Sequence, residues 1–203
     1  MKRIVAPLGI VLTLAGCGSG PPPPVYGDAF KGLYNRSAAS VPADVSVTLQ
    51  HPVGIILNDN VEVYFQWVKS QREYWAGVVP ASLTNDIANA DADPAFVSGR
   101  VLEMLKRHFP EAQAVKDFPA AVAAGKKAVV LVDILPRIMT PGERTTKFDI
   151  VYYFFDSKMN PVSKMSGHGE QYRPFGAADG GIQYTVDPAL AELDRKIASL
   201  LRS

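Results

Sequence analysis

The chain has 203 residues, of which 47% are apolar and 20% are charged. This composition is typical of a globular protein with its own core, and it excludes a chain that is disordered throughout. Lys plus Arg number 21 and Asp plus Glu number 20, which excludes nucleic-acid binding driven by net charge. A single cysteine excludes a disulfide framework and any metal site built on several cysteines.

The first sixteen residues have the layout of a secretory signal peptide. Lys2 and Arg3 form a positively charged start, and an apolar stretch from Ile4 to Leu14 follows. As a helix, sixteen residues would reach roughly 24 Å, which is too short to cross a hydrocarbon core of about 30 Å. We therefore expect residues 1–16 to be removed from the mature protein.

The signal peptide runs into Leu14-Ala15-Gly16-Cys17, which contains the one cysteine of the chain. This motif resembles the lipobox of bacterial lipoprotein precursors at all four positions. The resemblance implies transfer of a diacylglycerol to the Cys17 thiol, cleavage between Gly16 and Cys17, and acylation of the new N-terminus. Several acyl chains would hold the protein durably on a membrane. The alternative is an incidental cysteine, which would be an exposed free thiol in an oxidising compartment.

Gly18 would be the second residue of the mature chain. Under the sorting rule of enteric lipoproteins, retention in the inner membrane requires Asp at that position. The resemblance therefore implies a lipoprotein that is anchored in the outer membrane and faces the periplasm. We expect no contact with the membrane other than through this anchor, because the mature domain is nearly neutral.

Four consecutive prolines, residues 21–24, follow the motif. They favour a stiff polyproline II tether, with a proline-rich ligand for an aromatic groove as the alternative. The predicted organisation is a signal peptide at residues 1–16, a lipidated N-terminus and tether at 17–44, and a single periplasmic domain at 45–203.

Short strands are predicted at the start of the domain. Val45 to Leu49 alternates between apolar and polar residues, and Val53 to Leu57 is a short apolar run. Asn58-Asp59-Asn60 has turn chemistry. Val61 to Trp67 then alternates as a returning strand does, with a helix as the alternative.

Two helices with capping signals come next. Asp93-Pro94 predicts the start of a helix whose apolar positions within 97–109 share one face, and Pro110 ends it. A short strand is predicted within 111–115. Asp117 then caps a second, short helix that ends before Gly125.

The strongest strand signals lie in the C-terminal half. Ala128 to Leu135 and Phe148 to Phe155 are continuous apolar runs, typical of strands buried on both faces. A turn leads to a returning strand from Val162 to Tyr172. Asp187-Pro188 predicts the cap of a final helix, with an apolar stripe from Leu190 to Leu201.

This order predicts an α/β sandwich of two or three layers, with a mixed sheet of about five or six strands and about three helices. It resembles the small periplasmic domain found at the N-terminus of TolB, in penicillin-binding-protein activator lipoproteins and in auxiliary lipoproteins of lipid transporters. The strand at 129–132, the strand at 148–156 with its turn, and Val162 carry the resemblance, which covers roughly residues 93–203. It implies a fold, and no functional residue carries over from it.

The sequence offers no strong catalytic pattern. The Gly-x-Ser-x-Gly elbow of acyl transfer does not occur in it. Ser166, His168 and Glu170 would project from one face of a strand, but side chains in a row on one strand do not converge as a catalytic triad does. The three histidines lie in separate predicted elements. We therefore expect no enzyme activity, no metal and no cofactor.

Aromatic side chains are the candidates for a partner surface. Trp67 and Trp75 alternate with basic residues, which would suit a glycan, whereas core aromatics around an exposed turn are the alternative. The strand ending at Phe155 is apolar on both faces, so both must be covered. Three helices cover one face, which leaves Tyr153 and Phe155 either beneath the N-terminal part of the chain, around Trp67 and Trp75, or against a partner or a second copy.

These features together predict an outer-membrane lipoprotein whose periplasmic domain binds another envelope component, either another envelope protein or a second copy of the chain. A carrier of lipid or polysaccharide for an envelope transporter is the alternative. An elongated apolar cavity would favour the carrier, and a flat apolar face would favour protein binding. Nucleic acid is not an expected partner.

Overall fold

The computed structural model describes residues 21–22, 24–30, 38–78, 94–137, 145–172 and 183–201. Within these ranges it contains one five-stranded mixed sheet and four α-helices, which confirms the predicted fold class. The strands are β1 (Val53–Leu57), β2 (Gln113–Ala114), β3 (Ala128–Arg137), β4 (Thr145–Phe155) and β5 (Pro161–Tyr172). The helices are α1 (Asp59–Val78), α2 (Pro94–His108), α3 (Phe118–Ala123) and α4 (Gln183–Leu200), and a short 3₁₀ helix spans Ala38–Ser40.

The strands lie in the order β2-β1-β3-β4-β5. β1 is parallel to both of its neighbours, whereas β4 is antiparallel to β3 and to β5. The long apolar run predicted as a buried strand is β3, the middle strand of the sheet. Its residues are buried on both faces because each face carries its own layer.

Three helices cover the first face of the sheet. Val61 and Tyr64 of α1, the apolar stripe of α2 and the apolar stripe of α4 pack there in one core cluster. The stripe of α2 is the predicted one, since Val97, Val101 and Met104 are all buried. This is the larger of the two clusters that enclose the sheet.

The chain segment before the domain covers the second face, together with α3. Ala29, Phe30, Ala38 and Val41 all lie in the predicted tether, and all are buried in this second cluster. The sheet and α3 supply the rest of it: Ile56, Phe118, Ala121, Val129, Leu131, Tyr153 and Phe155. The second face is therefore covered from within the chain.

The capping signals predicted the short helix α3 correctly. Asp117 is its N-cap, and its side chain accepts a hydrogen bond of 2.8 Å from the N–H of Ala120. Gly125 follows the helix with a positive φ of 67°, a backbone conformation that favours glycine.

The strand predicted from Val61 to Trp67 is wrong, because these residues lie in α1. Asn58 directs the chain into the helix, since its side-chain oxygen accepts a 3.2 Å hydrogen bond from the N–H of Asn60. Val61 and Tyr64 then fall on one buried face at helical spacing. The helix, which was the alternative, is what the structure contains.

Two further expectations are corrected. Residues 45–49 do not form a strand, because Val47 makes only an isolated bridge with Leu201 and bonds to the last turn of α4. Helix α4 does not start at Asp187-Pro188 either. It begins at Gln183, since Thr185 and Val186 are already buried, and Pro188 lies inside it.

Candidate functional site

The carboxyl end of β1 is the place where an open α/β sheet offers a binding site. α1 follows β1 onto the first face, and α3 follows the neighbouring strand β2 onto the second face. Ligands of such sheets bind at the carboxyl ends of parallel strands whose connections leave to opposite faces. In this protein, residues 26–30 of the same chain lie there. We call them the N-terminal segment.

Two asparagines bind the backbone of the N-terminal segment. The Nδ2 of Asn60 donates to the carbonyl of Gly27 at 3.0 Å, and its Oδ1 accepts from the N–H of Gly27 at 2.9 Å. The Nδ2 of Asn58 donates to the carbonyl of Ala29 at 3.2 Å. Asn60 is 4% exposed, whereas Gly27 is exposed, so these hydrogen bonds are partly buried. An asparagine that accepts from the N–H and donates to the C=O of one residue holds that residue as it would hold part of a peptide ligand.

A buried carboxylate lies beneath Asn60. Asp133 of β3 is 2% exposed, and its Oδ1 accepts a 3.0 Å hydrogen bond from the Nδ2 of Asn60. Burial raises the pKa of Asp133 to about 6, against the smaller lowering by the bonds from Asn60 and from the backbone of Ile134. We refer to Asn58, Asn60 and Asp133 as the segment-binding site.

The hydroxyl of Tyr26 is also buried here, and it has no hydrogen-bond partner. Its pKa is raised by burial first and by the nearby charge of Asp133 second. A buried hydroxyl without a partner loses its hydration and gains nothing in return. Closure of the N-terminal segment therefore leaves two polar groups poorly compensated: the hydroxyl of Tyr26 in the segment and the carboxylate of Asp133 in the segment-binding site.

Phe30 fixes the other end of the N-terminal segment. It is 1% exposed, and its ring centroid lies 5.0 Å from that of Tyr153 and 5.5 Å from that of Phe155. Asp28 orders the turn between the two ends, because its carboxylate accepts from the N–H groups of Phe30 and Ala38. The segment thus combines a polar backbone clamp with one apolar anchor.

The proposed partner residues do not form one surface. Tyr153 and Phe155 are buried under Phe30, so the structure corrects the alternative in which this face is open. Trp67 lies on α1 and packs against the other core cluster, with its ring 6.3 Å from that of Tyr64. The indole N–H of Trp67 is buried without a hydrogen-bond partner. Cys17 and Gly16, like the side chain of Trp75, lie outside the described residues.

Ser166, His168 and Glu170 do lie on one strand, as predicted. The imidazole of His168 is half-exposed and sits between two carboxylates: its Nδ1 is 2.6 Å from the Oδ1 of Asp149, and its Nε2 is 3.5 Å from Glu170. The hydrogen bond to Asp149 raises the pKa of His168. Both ring nitrogens therefore face acids rather than the hydroxyl of Ser166. This is the arrangement of an ion-pair network.

The outer edge of β5 is occupied along much of its length. Lys164 exchanges backbone hydrogen bonds with Pro42 and Asp44. Further along, the Nζ of Lys196 donates to the carbonyl of Ser166 at 2.7 Å, and Glu192 accepts from the N–H of His168 at 2.9 Å. Edge strands covered in this way resist pairing with another chain.

A groove of about 250 Å³ lies between α2 and α4. Its charged groups pair across it: Arg100 bonds to Asp187 at 2.9 Å, and a guanidinium nitrogen of Arg107 lies 3.6 Å from the Oδ1 of Asp194. This polar lining does not suit an acyl chain.

Among the described ranges, no cluster of three or more His, Cys, Asp or Glu side chains is placed to hold a metal ion. No helix in the part of the chain that the structure describes is both long and apolar enough to cross a membrane.

Comparison with known proteins gives distant structural likenesses. No family model matches the sequence, and no curated protein sequence does. Among solved structures, the chain is similar to a PelC dodecamer subunit from Paraburkholderia phytofirmans, with 9% identity and a TM-score of 0.39 over 80% of this chain and 96% of that one. It is also similar to lipoprotein GNA1162 from Neisseria meningitidis, with 12% identity and a TM-score of 0.27 over 73% of this chain and 99% of that one.

The segment-binding site was not predicted from the sequence. Asn58 and Asn60 have turn chemistry, and Asp133 lies in an apolar run. The sequence feature that indicates the site is Asp133. A single Asp in a strand buried on both faces requires a hydrogen-bond donor, and asparagines follow the neighbouring strand.

Proposed function

We propose that this chain is a lipoprotein of the outer membrane, anchored through Cys17, whose periplasmic α/β domain binds another envelope component. The observation that carries the proposal is the sequence Leu14-Ala15-Gly16-Cys17 behind a signal peptide. We propose a binding role rather than a catalytic one. What supports this is that both ring nitrogens of His168 face carboxylates, which leaves the ring no free nitrogen to act as a base on Ser166.

The fixed position of Gly27 gives the anchor a short reach. Gly27 is the first residue held by the segment-binding site, ten positions after Cys17. Ten residues of fully extended chain span at most about 33 Å. The domain would therefore work within about one domain diameter of the lipid surface. This short reach favours partners at that same surface.

The binding mode is constrained by the edge of the sheet. Because the edge of β5 is occupied around Lys164, Ser166 and His168, we propose that the partner contacts side-chain surfaces rather than adding a strand there. Val63 on α1 and Val122 on α3 are apolar side chains that remain 38% and 59% exposed. Tyr172, near the end of β5, is 59% exposed. These three are the positions at which to look for the partner.

The anchor is tested by replacing Cys17 with Ala. We expect loss of palmitate labelling and accumulation of the unprocessed precursor, because the thiol is the acceptor of the lipid. A Ser203→Ala chain is the control and should label normally. Continued labelling and outer-membrane fractionation of the Cys17→Ala chain would disprove the lipoprotein assignment.

The binding role is tested by crosslinking in whole cells. A photoreactive amino acid is placed in turn at Val63, Val122 and Tyr172, with the exposed charged residue Glu103 of α2 as the control. We expect a discrete adduct from at least one of the three positions and none from Glu103. A chain that is correctly lipidated but gives no adduct from any of the three positions would refute binding through these surfaces.

A further inference from the structure

We propose that the N-terminal segment is a detachable peptide ligand of the segment-binding site, so that the domain alternates between a short and a long tether. The geometry of the site is what a peptide-binding crevice requires. Asn58 and Asn60 recognise backbone groups of Gly27 and Ala29, and a separate apolar seat takes the ring of Phe30. The ligand class is an extended peptide with a small residue at the clamp and an aromatic residue three positions later.

The segment is held by side chains rather than by the sheet. It belongs to none of the five strands, and the backbone groups of Gly27 and Ala29 bond to asparagine amides. Val25, directly before the segment, is 89% exposed, so the contacts with the domain begin at Tyr26. A segment bound by a few side-chain contacts can leave without disturbing a strand ladder, whereas a paired strand cannot.

Closure also leaves polar groups in the site poorly satisfied. The hydroxyl of Tyr26 is buried without a partner, and the carboxylate of Asp133 is nearly dehydrated. The charge of Asp28 also acts unfavourably on Asp133, and that of Asp133 acts on Tyr153. Release of the segment would return water to these groups. Release is opposed by the burial of Phe30, so we expect the open state to be a minor one.

Release would change the reach of the tether by a defined amount. Among the residues that the structure describes, the next attachment is at residues 38–44, where Lys164 of β5 shares backbone hydrogen bonds with Pro42 and Asp44. From Gly27 to Ala38 is eleven residues, which adds about 36 Å of extended chain to the closed reach of about 33 Å. This consequence rests on the proposed lipid anchor, whereas the detachable segment does not depend on it.

The test is amide hydrogen exchange on the full mature chain. The N–H groups of Gly27, Phe30 and Ala38 are each bonded to a side-chain oxygen of the site or of the segment itself. We expect the amides of Gly27 and Phe30 to exchange at least roughly 10-fold faster than those of β3, through an opening that denaturant does not accelerate. Exchange of Gly27 and Phe30 only together with β3 would show that the segment opens by global unfolding, and would overturn the proposal.

Two substitutions should move this opening in opposite directions. Asn60→Ala removes the clamp and should speed exchange at Gly27. Asp133→Asn keeps an acceptor for Asn60 but removes the buried charge, and should slow it. Gln66→Ala, on the exposed face of α1, is the matched control and should leave it unchanged. If Asn60→Ala fails to fold, the exchange pattern of the wild type and the exchange rate at Gly27 in Asp133→Asn still test the proposal. If Asp133→Asn and Asn60→Ala both speed or both slow exchange at Gly27, the proposed opposition between the clamp and the buried charge is contradicted.

The same exchange measurement on a Cys17→Ala chain separates this proposal from the proposed function. If the wild-type protein proves not to be lipidated but its segment still opens, the detachable segment stands and only its role as a tether is lost. If the protein is lipidated but its segment stays closed, the lipid anchor stands and the detachable segment is disproved.

Discussion

Asp133 has fewer compensating interactions than its burial demands. A carboxylate that is 2% exposed needs several donors to remain charged, and here the donors are the amide of Asn60 and the backbone of Ile134. The result is a raised pKa of about 6. The neighbours Tyr26, Asp28 and Tyr153 carry no positive charge, so none of them offsets that cost.

The raised pKa of Asp133 predicts that this residue weakens the fold as the pH rises. The native state binds the proton of Asp133 more tightly than the unfolded state, whose pKa is close to 3.9, so the free energy of unfolding falls between about pH 4 and pH 6. The difference of about two pKa units corresponds to a loss on the order of 3 kcal/mol. Asp133→Asn should remove this dependence and raise the stability at pH 7.

Urea unfolding at several pH values checks this prediction. His168 also has a raised pKa through Asp149, and its contribution is likewise lost as the pH rises, so a His168→Gln chain is the control. The half-exposed His168 should contribute little because solvent screens it. If the pH dependence of stability were unchanged in Asp133→Asn but flattened in His168→Gln, the effect would come from His168 and the prediction for Asp133 would be wrong.

Tyr153 gives a second prediction at the residue scale. Its ring packs edge-on against Phe30 and it is only 6% exposed, which raises the pKa of its hydroxyl to about 12 by burial. Tyr153→Ser should lower the free energy of unfolding by roughly 3 kcal/mol, and Tyr153→Phe should be far milder. Thermal unfolding of the two chains measures this. A melting temperature unaffected by Tyr153→Ser would mean that the second face is not a core.

Two glycines set the distance between α4 and β5. A Cβ at Gly167 would overlap the carbonyl of Ala189, and a Cβ at Gly169 would overlap the carbonyl of Thr185. Backbone carbonyls in a packed helix cannot move aside as a flexible side chain can. The two glycines are therefore the reason that α4 lies directly against the edge strand, and this close approach brings Glu192 and Lys196 within reach of the edge.

This packing predicts opposite effects of alanine at different glycines. Gly167→Ala should cost roughly 3 kcal/mol of stability, because α4 must shift outward. Gly99→Ala is the matched control. Gly99 lies in α2 with open space at its Cβ, so alanine there should stabilise the protein by about 0.5–1 kcal/mol. Equal effects of the two substitutions in chemical denaturation would contradict this view of the α4–β5 contact.

Elements with a strong local sequence pattern were predicted correctly. The β-branched run predicted β3, Pro94 predicted the start of α2, and Asp117 with Gly125 predicted both ends of α3. Val61 to Trp67 was misassigned because its residues satisfy a period of two as well as helical spacing, and only the cap at Asn58 separates the two. Helix α4 starts early because tertiary packing of Thr185 on β5, which no local pattern contains, extends it.

The segment-binding site could not be predicted from local sequence patterns, because its residues are far apart in the chain. Asn60 and Asp133 are 73 positions apart, and Gly27 is 33 positions from Asn60. Only the sheet order, which places the end of β1 beside β3, brings them together. The sequence showed that the second face needed a cover. It left open whether a partner or the N-terminal part of the chain, around Trp67 and Trp75, supplied it. The structure corrects the choice of residues, because Trp67 packs against the first face and Phe30 covers the second.

At the scale of the whole molecule, the N-terminal region serves the fold as well as the proposed anchor. Ala29, Phe30, Ala38 and Val41 cover the second face, residues 42–44 bond to the edge of β5, and the carbonyl of Val45 accepts from the hydroxyl of Ser163. The boundary expected at residue 45 thus cuts through contacts of the domain. We therefore expect the folded unit to begin close to Tyr26, and the stretch left for the proposed tether to be correspondingly short.

Two truncated chains test where the folded unit begins. A chain that starts at Val25 retains Phe30, Ala38 and Val41, and should unfold cooperatively in the presence of chelator and reductant. A chain that starts at Val45 loses their cover of the second face. Since a fully buried Phe or Val contributes about 1.5–3 kcal/mol, the loss is on the order of 4 kcal/mol.

For a protein of this length, such a loss lowers the melting temperature by roughly 8–16 °C. The shorter chain should also bind a hydrophobic dye, because Tyr153 and Phe155 become accessible on its second face. Calorimetry and dye fluorescence on the two chains measure both effects. Equal melting temperatures without dye binding would place the start of the folded unit at residue 45 after all, and residues 25–44 would return to the tether. Loss of the transition in the longer chain on adding chelator would instead reveal a bound metal.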